Sequence, residues 1–203
     1  MNEKCRYVSK KEIKEYKIEL EDTIPKIKEE IKAKYGKSFN HAIVGSARRN
    51  LVVQRKNGIY DVDYQLLLDS PIFNKIDTSE LKLFVQKLFK KYLGYKYNVK
   101  LSTSVITISS RDQNNRKHFD IALIRTNKEN MKEILRGKES NNIRWELVKN
   151  SNNKIKEIKG NDWNKLREVF LNKKCSNFEN NYLNQKETLS IYFESIKETL
   201  DLL

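Results

Sequence analysis

Apolar residues along this chain recur with two distinct periods, and the switches between them mark out its elements. Ser9-Lys10-Lys11-Glu12 has the form of a capping box, in which a serine hydroxyl and a glutamate carboxylate satisfy the first free amides of a helix. It opens an amphipathic stretch through Leu20. Pro25 predicts the start of a second helix over Lys26 to Lys34, because proline's fixed φ suits a first turn, and Gly36 supplies its stop. The period then shortens to two. His41 to Val44 reads as a strand ending at Gly45-Ser46, residues 47 to 56 as a short helix, and Asn57-Gly58 as a turn into a longer strand, Ile59 to Leu68.

In that longer strand, alternation places Asp61, Asp63 and Gln65 on one face and Val62, Tyr64 and Leu66 on the other. Asp77-Thr78-Ser79-Glu80 is another cap signature. Leu81, Phe84, Val85, Leu88, Phe89 and Tyr92 follow at helical spacing before Gly94, an aromatic stripe that reads as core packing rather than a base-stacking platform. Val105 to Ile108 and His118 to Ile124 read as the arms of a hairpin around a polar loop, with His118, Asp120 and Ala122 on one face of the second arm. If that arm pairs beside the Asp61 strand, Asp120 joins the other two carboxylates. From Asn127 onward the pattern is mainly helical, clearest over Asn161 to Leu171 and Gln185 to Leu202, where Leu189, Tyr192, Phe193, Ile196 and Leu200 fall on one side. The expected fold is α/β (α+β): a mixed, partly antiparallel sheet flanked by helices over residues 1–126, with a helical carboxy-terminal region over 127–203 that packs on or closes the core.

Composition narrows the partners only a little. A chain of 203 residues with 38% hydrophobic positions can bury one substantial core although 33% of it is charged. The net charge of +14 would concentrate polyanions such as nucleic acids or nucleotides. Most of the basic residues are lysines mixed with many asparagines, and a plain solvated helix surface accounts for the same balance. Cys5 and Cys175 form no CxxC or Cys/His pattern, so neither a disulfide framework nor a zinc site is indicated, and a reducing cytoplasm is the expected location. No apolar run approaches the roughly 18 residues of a membrane span, and the amino end lacks the apolar segment of a signal peptide.

The acids carry the chemistry. Burying unpaired carboxylates in otherwise apolar strands is costly, and paired Asp side chains are the hard oxygen ligands that suit Mg²⁺ or Mn²⁺ in chemistry on a triphosphate. In order, Val44-Gly45-Ser46-Ala47-Arg48-Arg49, Tyr60-Asp61-Val62-Asp63-Tyr64 and His118-Phe119-Asp120-Ile121 resemble the DNA polymerase beta-like nucleotidyltransferase superfamily over about residues 40–125. Fifteen positions separate Ser46 from Asp61, and with the Val105 to Ile108 strand this spacing resembles the oligoadenylate and cyclic-nucleotide synthases. The large carboxy-terminal helical domain usual in those enzymes is not matched here.

By this resemblance, Asp61 and Asp63 would hold two Mg²⁺ or Mn²⁺ ions, and Asp120 would complete the metal site and serve as general base. Gly45 would allow close backbone approach, Ser46 and the helix start after it would bind the NTP phosphates, and Arg48 or Arg49 would add a charged contact. The implied activity is transfer of a nucleoside monophosphate from an NTP to a hydroxyl, with release of pyrophosphate. RNA, for instance a tRNA end, or another nucleotide is the favoured acceptor, with a protein or small molecule also open. Two rival readings are a catalytically inactive nucleic-acid-binding or toxin–antitoxin module on the same fold, and a phosphate-binding or hydrolytic enzyme. His118 reads either as a hydrogen-bonded structural group or as a residue orienting Asp120 or a ligand.

Overall fold

A computed structural model describes residues 5–55, 58, 60–112, 116–139, 141–148, 161–179 and 188–201. In chain order its elements are β1 (Cys5–Tyr7), α1 (Lys10–Tyr16), α2 (Ile18–Tyr35), β2 (Asn40–Ile43) and α3 (Gly45–Arg48). Next come β3 (Val53–Arg55), β4 (Asp61–Leu67), α4 (Thr78–Leu93), β5 (Tyr97–Leu101) and β6 (Ile106–Ser110). β7 (His118–Thr126), β8 (Lys132–Arg136) and β9 (Arg144–Leu147) complete the strands, and α5 (Asn161–Glu179) and α6 (Thr188–Asp201) follow. The chain forms two units, one of residues 9–50 and 59–148, the other of 1–8, 51–58 and 149–203.

The first unit is built on a mixed sheet in the order β2-β4-β7-β6-β5, in which only β4 and β7 pair in parallel, and β8 and β9 continue it along the far half of β7. Strand alternation turns Val62, Tyr64, Leu66, Phe119, Ile121 and Leu123 into a face that is almost wholly buried. The helices answer in kind. Leu20, Ile24, Ile27 and Ile31 repeat at helical spacing on α2 and are fully buried, as are Leu81, Val85 and Phe89 on α4. The Ser9–Glu12 capping box is present as read, with Ser9 Oγ accepting from the Glu12 amide and Glu12 Oε2 from the Ser9 amide.

Three element readings are corrected. α2 starts at Ile18 and runs straight through Pro25, which stands inside it rather than opening it. Proline costs one helical amide, whereas the apolar stripe around it contributes about 1.5–3 kcal/mol per buried side chain. The helix expected over 47–56 is only the four residues of α3, because Asn50 adopts a left-handed φ of 56° and the chain then enters β3. Residues 132–136 and 144–147 are strands, not helix: Asn127 takes the Met131 amide on its side chain and donates its own amide to the Met131 carbonyl, so the asparagines turn the chain back antiparallel onto β7. The boundary expected at residue 126 therefore falls inside the sheet unit.

Lys82 ties the β5–β6 loop to the end of β8. It is 1% exposed and its ammonium donates to the carbonyls of Ser102, Thr103 and Gly137. Burial, with Arg136 adding, pulls its pKa down to about 8.

In the second unit β1 pairs antiparallel with β3. Leu51, Val53, Leu166, Phe170, Ile191, Tyr192 and Ile196 form its core, with Trp163, Phe193 and Leu200 partly buried against it. Cys5 and Cys175 are joined as a disulfide across Cα atoms 6.1 Å apart, where the sequence pattern indicated none. A separation of 170 residues leaves no local spacing by which to read such a pair. The expected turn residue Asn57, hairpin-loop residues 113–115 and helix positions 185–187 and 202 lie outside the described residues, as does the Leu189 side chain. Among the described residues no helix is long and apolar enough to cross a membrane.

Candidate active site

The parallel pairing of β4 with β7 sets Asp61 opposite His118 and Asp63 opposite Asp120. Because both strands alternate in phase, all four side chains leave the same face, away from the buried Val62 and Phe119. The expected condition is met: the hairpin arm carrying Asp120 does lie beside the Asp61 strand.

Each carboxylate has a different neighbour. Asp120 is partly buried and accepts a 2.8 Å hydrogen bond from Thr107 Oγ1, which stands opposite it on β6. Burial raises its pKa above the ordinary carboxylate value, the Thr107 hydroxyl and His118 pull it back, and Asp61 raises it again. Asp61 is the most exposed of the three and lies with Oδ1 2.8 Å from His118 Nδ1. That nitrogen is shielded from solvent, and its close contact with the carboxylate falls short of hydrogen-bond geometry. Asp61 is the largest cause holding the His118 imidazole pKa above its usual value; burial opposes it and Asp120 and Asp63 add.

Asp63 explains Gly45. The glycine has a φ of 63°, and a Cβ built on it would overlap the Asp63 carboxylate. Gly45 thus lies against the acid itself, while the Val44 amide donates to the Asp63 carbonyl at 2.9 Å and fixes the loop to the strand. Ser46 is partly buried within α3, Arg48 is exposed, and Arg49 turns back to donate to the Gly45 carbonyl at 3.3 Å. Of the two adjacent arginines, Arg49 braces the loop and Arg48 reaches outward.

Among the described residues, no three acids, cysteines or histidines converge into a ready-made metal cluster. The donor set nevertheless fits a hard divalent ion: three carboxylates in adjacent register positions on one face, and a glycine cradle that a side chain would fill.

One positioning residue had no sequence signal. The Tyr16 hydroxyl donates to the Tyr60 carbonyl at 2.9 Å and accepts the His118 amide at 2.5 Å, while its ring stacks on Tyr60 and tilts against Phe119. It clamps together the starts of the two acid-bearing strands. A cavity of about 550 Å³ lies beyond Lys117, lined also by Glu19, Tyr95, Lys96, Tyr97, Ser110 and Arg111, and includes none of the carboxylates expected to act.

The same fold is seen in solved structures of DncV and of a CdnE synthase. Vibrio cholerae DncV in its 3'-deoxy ATP bound form superposes with a TM-score of 0.61 at 14% identity, over 80% of this chain and 45% of that one. Escherichia coli DncV with 3'-deoxy GTP gives 0.60 at 14%, over 80% and 46%. The STING-associated CdnE c-di-GMP synthase from Capnocytophaga granulosa gives 0.58 at 16%, over 94% and 60%. At these identities the likeness is one of fold, and the chain spans about half the length of the DncV proteins. No protein-family profile matches the chain, and no curated protein matches it in sequence.

Proposed function

We propose that this chain is a nucleotidyltransferase that moves a nucleoside monophosphate from an NTP to the hydroxyl of a second nucleotide, releasing pyrophosphate. The observation that carries this reading is the in-register placement of Asp61, Asp63 and Asp120 on one face of β4 and β7, with Gly45 against Asp63. Support for a nucleotide acceptor comes from neighbours of the same fold, one described as a c-di-GMP synthase and another held with ATP and GTP.

Asp61, Asp63 and Asp120 would hold Mg²⁺ or Mn²⁺, which when bound supplies charge stabilisation to the attacking and leaving oxygens. The chain's own groups divide the remaining work. Asp120, whose proton affinity is raised by burial, accepts the proton of the incoming hydroxyl. Ser46 offers a hydroxyl to the triphosphate, and Arg48, exposed just beyond it, offers a cation. Thr107 holds the Asp120 carboxylate in place from β6. The net charge of +14 supports RNA as the runner-up acceptor.

The test is incubation with each α-labelled NTP, alone and in pairs, with Mn²⁺ or Mg²⁺, and with total RNA added in a parallel arm. A small labelled product resistant to phosphatase, absent from Asp61→Asn and Asp63→Asn variants, is the expected result. Label in RNA would move the acceptor to the runner-up. No labelled product in any arm would sink the transferase reading and favour the inactive binding module.

A further inference from the structure

The three acids are not equally constrained. Asp63 is set against Gly45 and Asp120 is tied to Thr107, whereas Asp61 stands at the exposed first position of β4 with 62% of its side chain accessible. Facing it across the parallel ladder is His118, whose backbone is pinned by the Tyr16 hydroxyl and whose side chain is 31% accessible. We propose that His118 is a positioning residue for the Asp61 carboxylate: its Nδ1 engages one oxygen and leaves the other for the divalent cation. This inference rests on the proposed function.

A carboxylate has two oxygens, and a ligating one is ordinarily steadied through hydrogen bonds to its partner atom. His118 is placed to do so, with Nδ1 2.8 Å from Asp61 Oδ1. The contact falls short of hydrogen-bond geometry, which leaves a solvent-shielded ring nitrogen without a good partner. An unsatisfied buried polar atom is costly, and a small turn of the Asp61 carboxylate relieves it. A bond from Nδ1 to one Asp61 oxygen holds the carboxylate in one orientation, so that ordering Asp61 on a cation and making the His118 bond favour one another. The three other groups on this face around His118 are Ser109 opposite it on β6, Asp120 two residues on, and Asp63 beyond Asp61. Asp120 accepts from Thr107, and Asp61 is the carboxylate with an oxygen 2.8 Å from the ring nitrogen.

The probe is Mn²⁺ alone, titrated into the purified chain and followed by the electron spin resonance of the free ion, with no nucleotide present. His118→Ala should weaken Mn²⁺ binding about 10–100-fold, and His118→Asn, whose amide nitrogen sits where Nδ1 does, should restore most of it. Circular dichroism checks folding, and His118→Phe, which fills the space without a donor at that position, replaces the alanine variant if that fails to fold. Binding by His118→Ala as tight as the wild type, or tighter, overturns the proposal, as does a His118→Asn variant no better than alanine. Absence of saturable Mn²⁺ binding in the wild-type chain would instead overturn the proposed function itself.

Discussion

The two faces of the β4–β7 pair share a backbone and differ in almost everything else. On one, Val62, Tyr64, Leu66, Phe119 and Ile121 are at most 1% exposed, and α2 and α4 supply apolar partners. On the other, Asp61, Asp63, His118 and Asp120 occupy the intervening positions in register. The first face contributes stability through apolar burial. The second concentrates like charge, and it is tolerable because the first holds the strands in place. Residues where the faces meet the backbone, Gly45 and Tyr16, belong to both.

Breaking the apolar face should have the largest effect on stability. Phe119→Ala is expected to cost about 3–5 kcal/mol, seen as a lower urea midpoint, while the fraction that remains folded still binds Mn²⁺. Gly45→Ala should damage both faces' work. Backbone strain at its left-handed φ costs about 1–3 kcal/mol, and the added Cβ displaces Asp63, so Mn²⁺ affinity falls with stability; unchanged affinity would detach Gly45 from the acid site.

Tyr16→Phe keeps the ring stack but removes the hydroxyl that accepts from the His118 amide and donates to the Tyr60 carbonyl, at a cost of about 1–3 kcal/mol in thermal or urea unfolding. The smallest effect separates the faces by pH. Since the folded pKa of Asp120 is raised, its contribution is fully present below its unfolded pKa and is lost as pH rises through the folded one. The stability of wild type relative to Asp120→Asn should therefore decline as pH climbs from about 3 towards neutrality. A difference that grew with pH would mean that Asp120 is stabilised as a carboxylate instead.

The acid-bearing strands could be read in advance because their information is local. Alternation through Asp61-Val62-Asp63 and His118-Phe119-Asp120 assigns faces without knowledge of the rest of the chain, and the caps at Ser9 and Asp77 announce their helices within four residues. What escaped was set by distant partners. Pro25 is carried inside α2 by an apolar stripe that buries against other elements, β8 and β9 are recruited by the edge of β7 beyond the reach of β6, and Cys5 meets Cys175 from the other end of the sequence. Tyr16 is the clearest case within the site. On α1 it is one more amphipathic aromatic, and its role exists only because Tyr60 and His118 arrive beside it.

The central claim, that the polar face of β4 and β7 is a cation-binding nucleotidyltransferase centre, is tested most directly by anomalous diffraction from crystals soaked with Mn²⁺ and a non-hydrolysable NTP. The account predicts Mn²⁺ peaks within ligand distance, about 2.0–2.2 Å for hard oxygen donors, of carboxylate oxygens of Asp61, Asp63 and Asp120, with the triphosphate next to Ser46. Mn²⁺ and nucleotide bound elsewhere, with these three carboxylates left without metal, would contradict it.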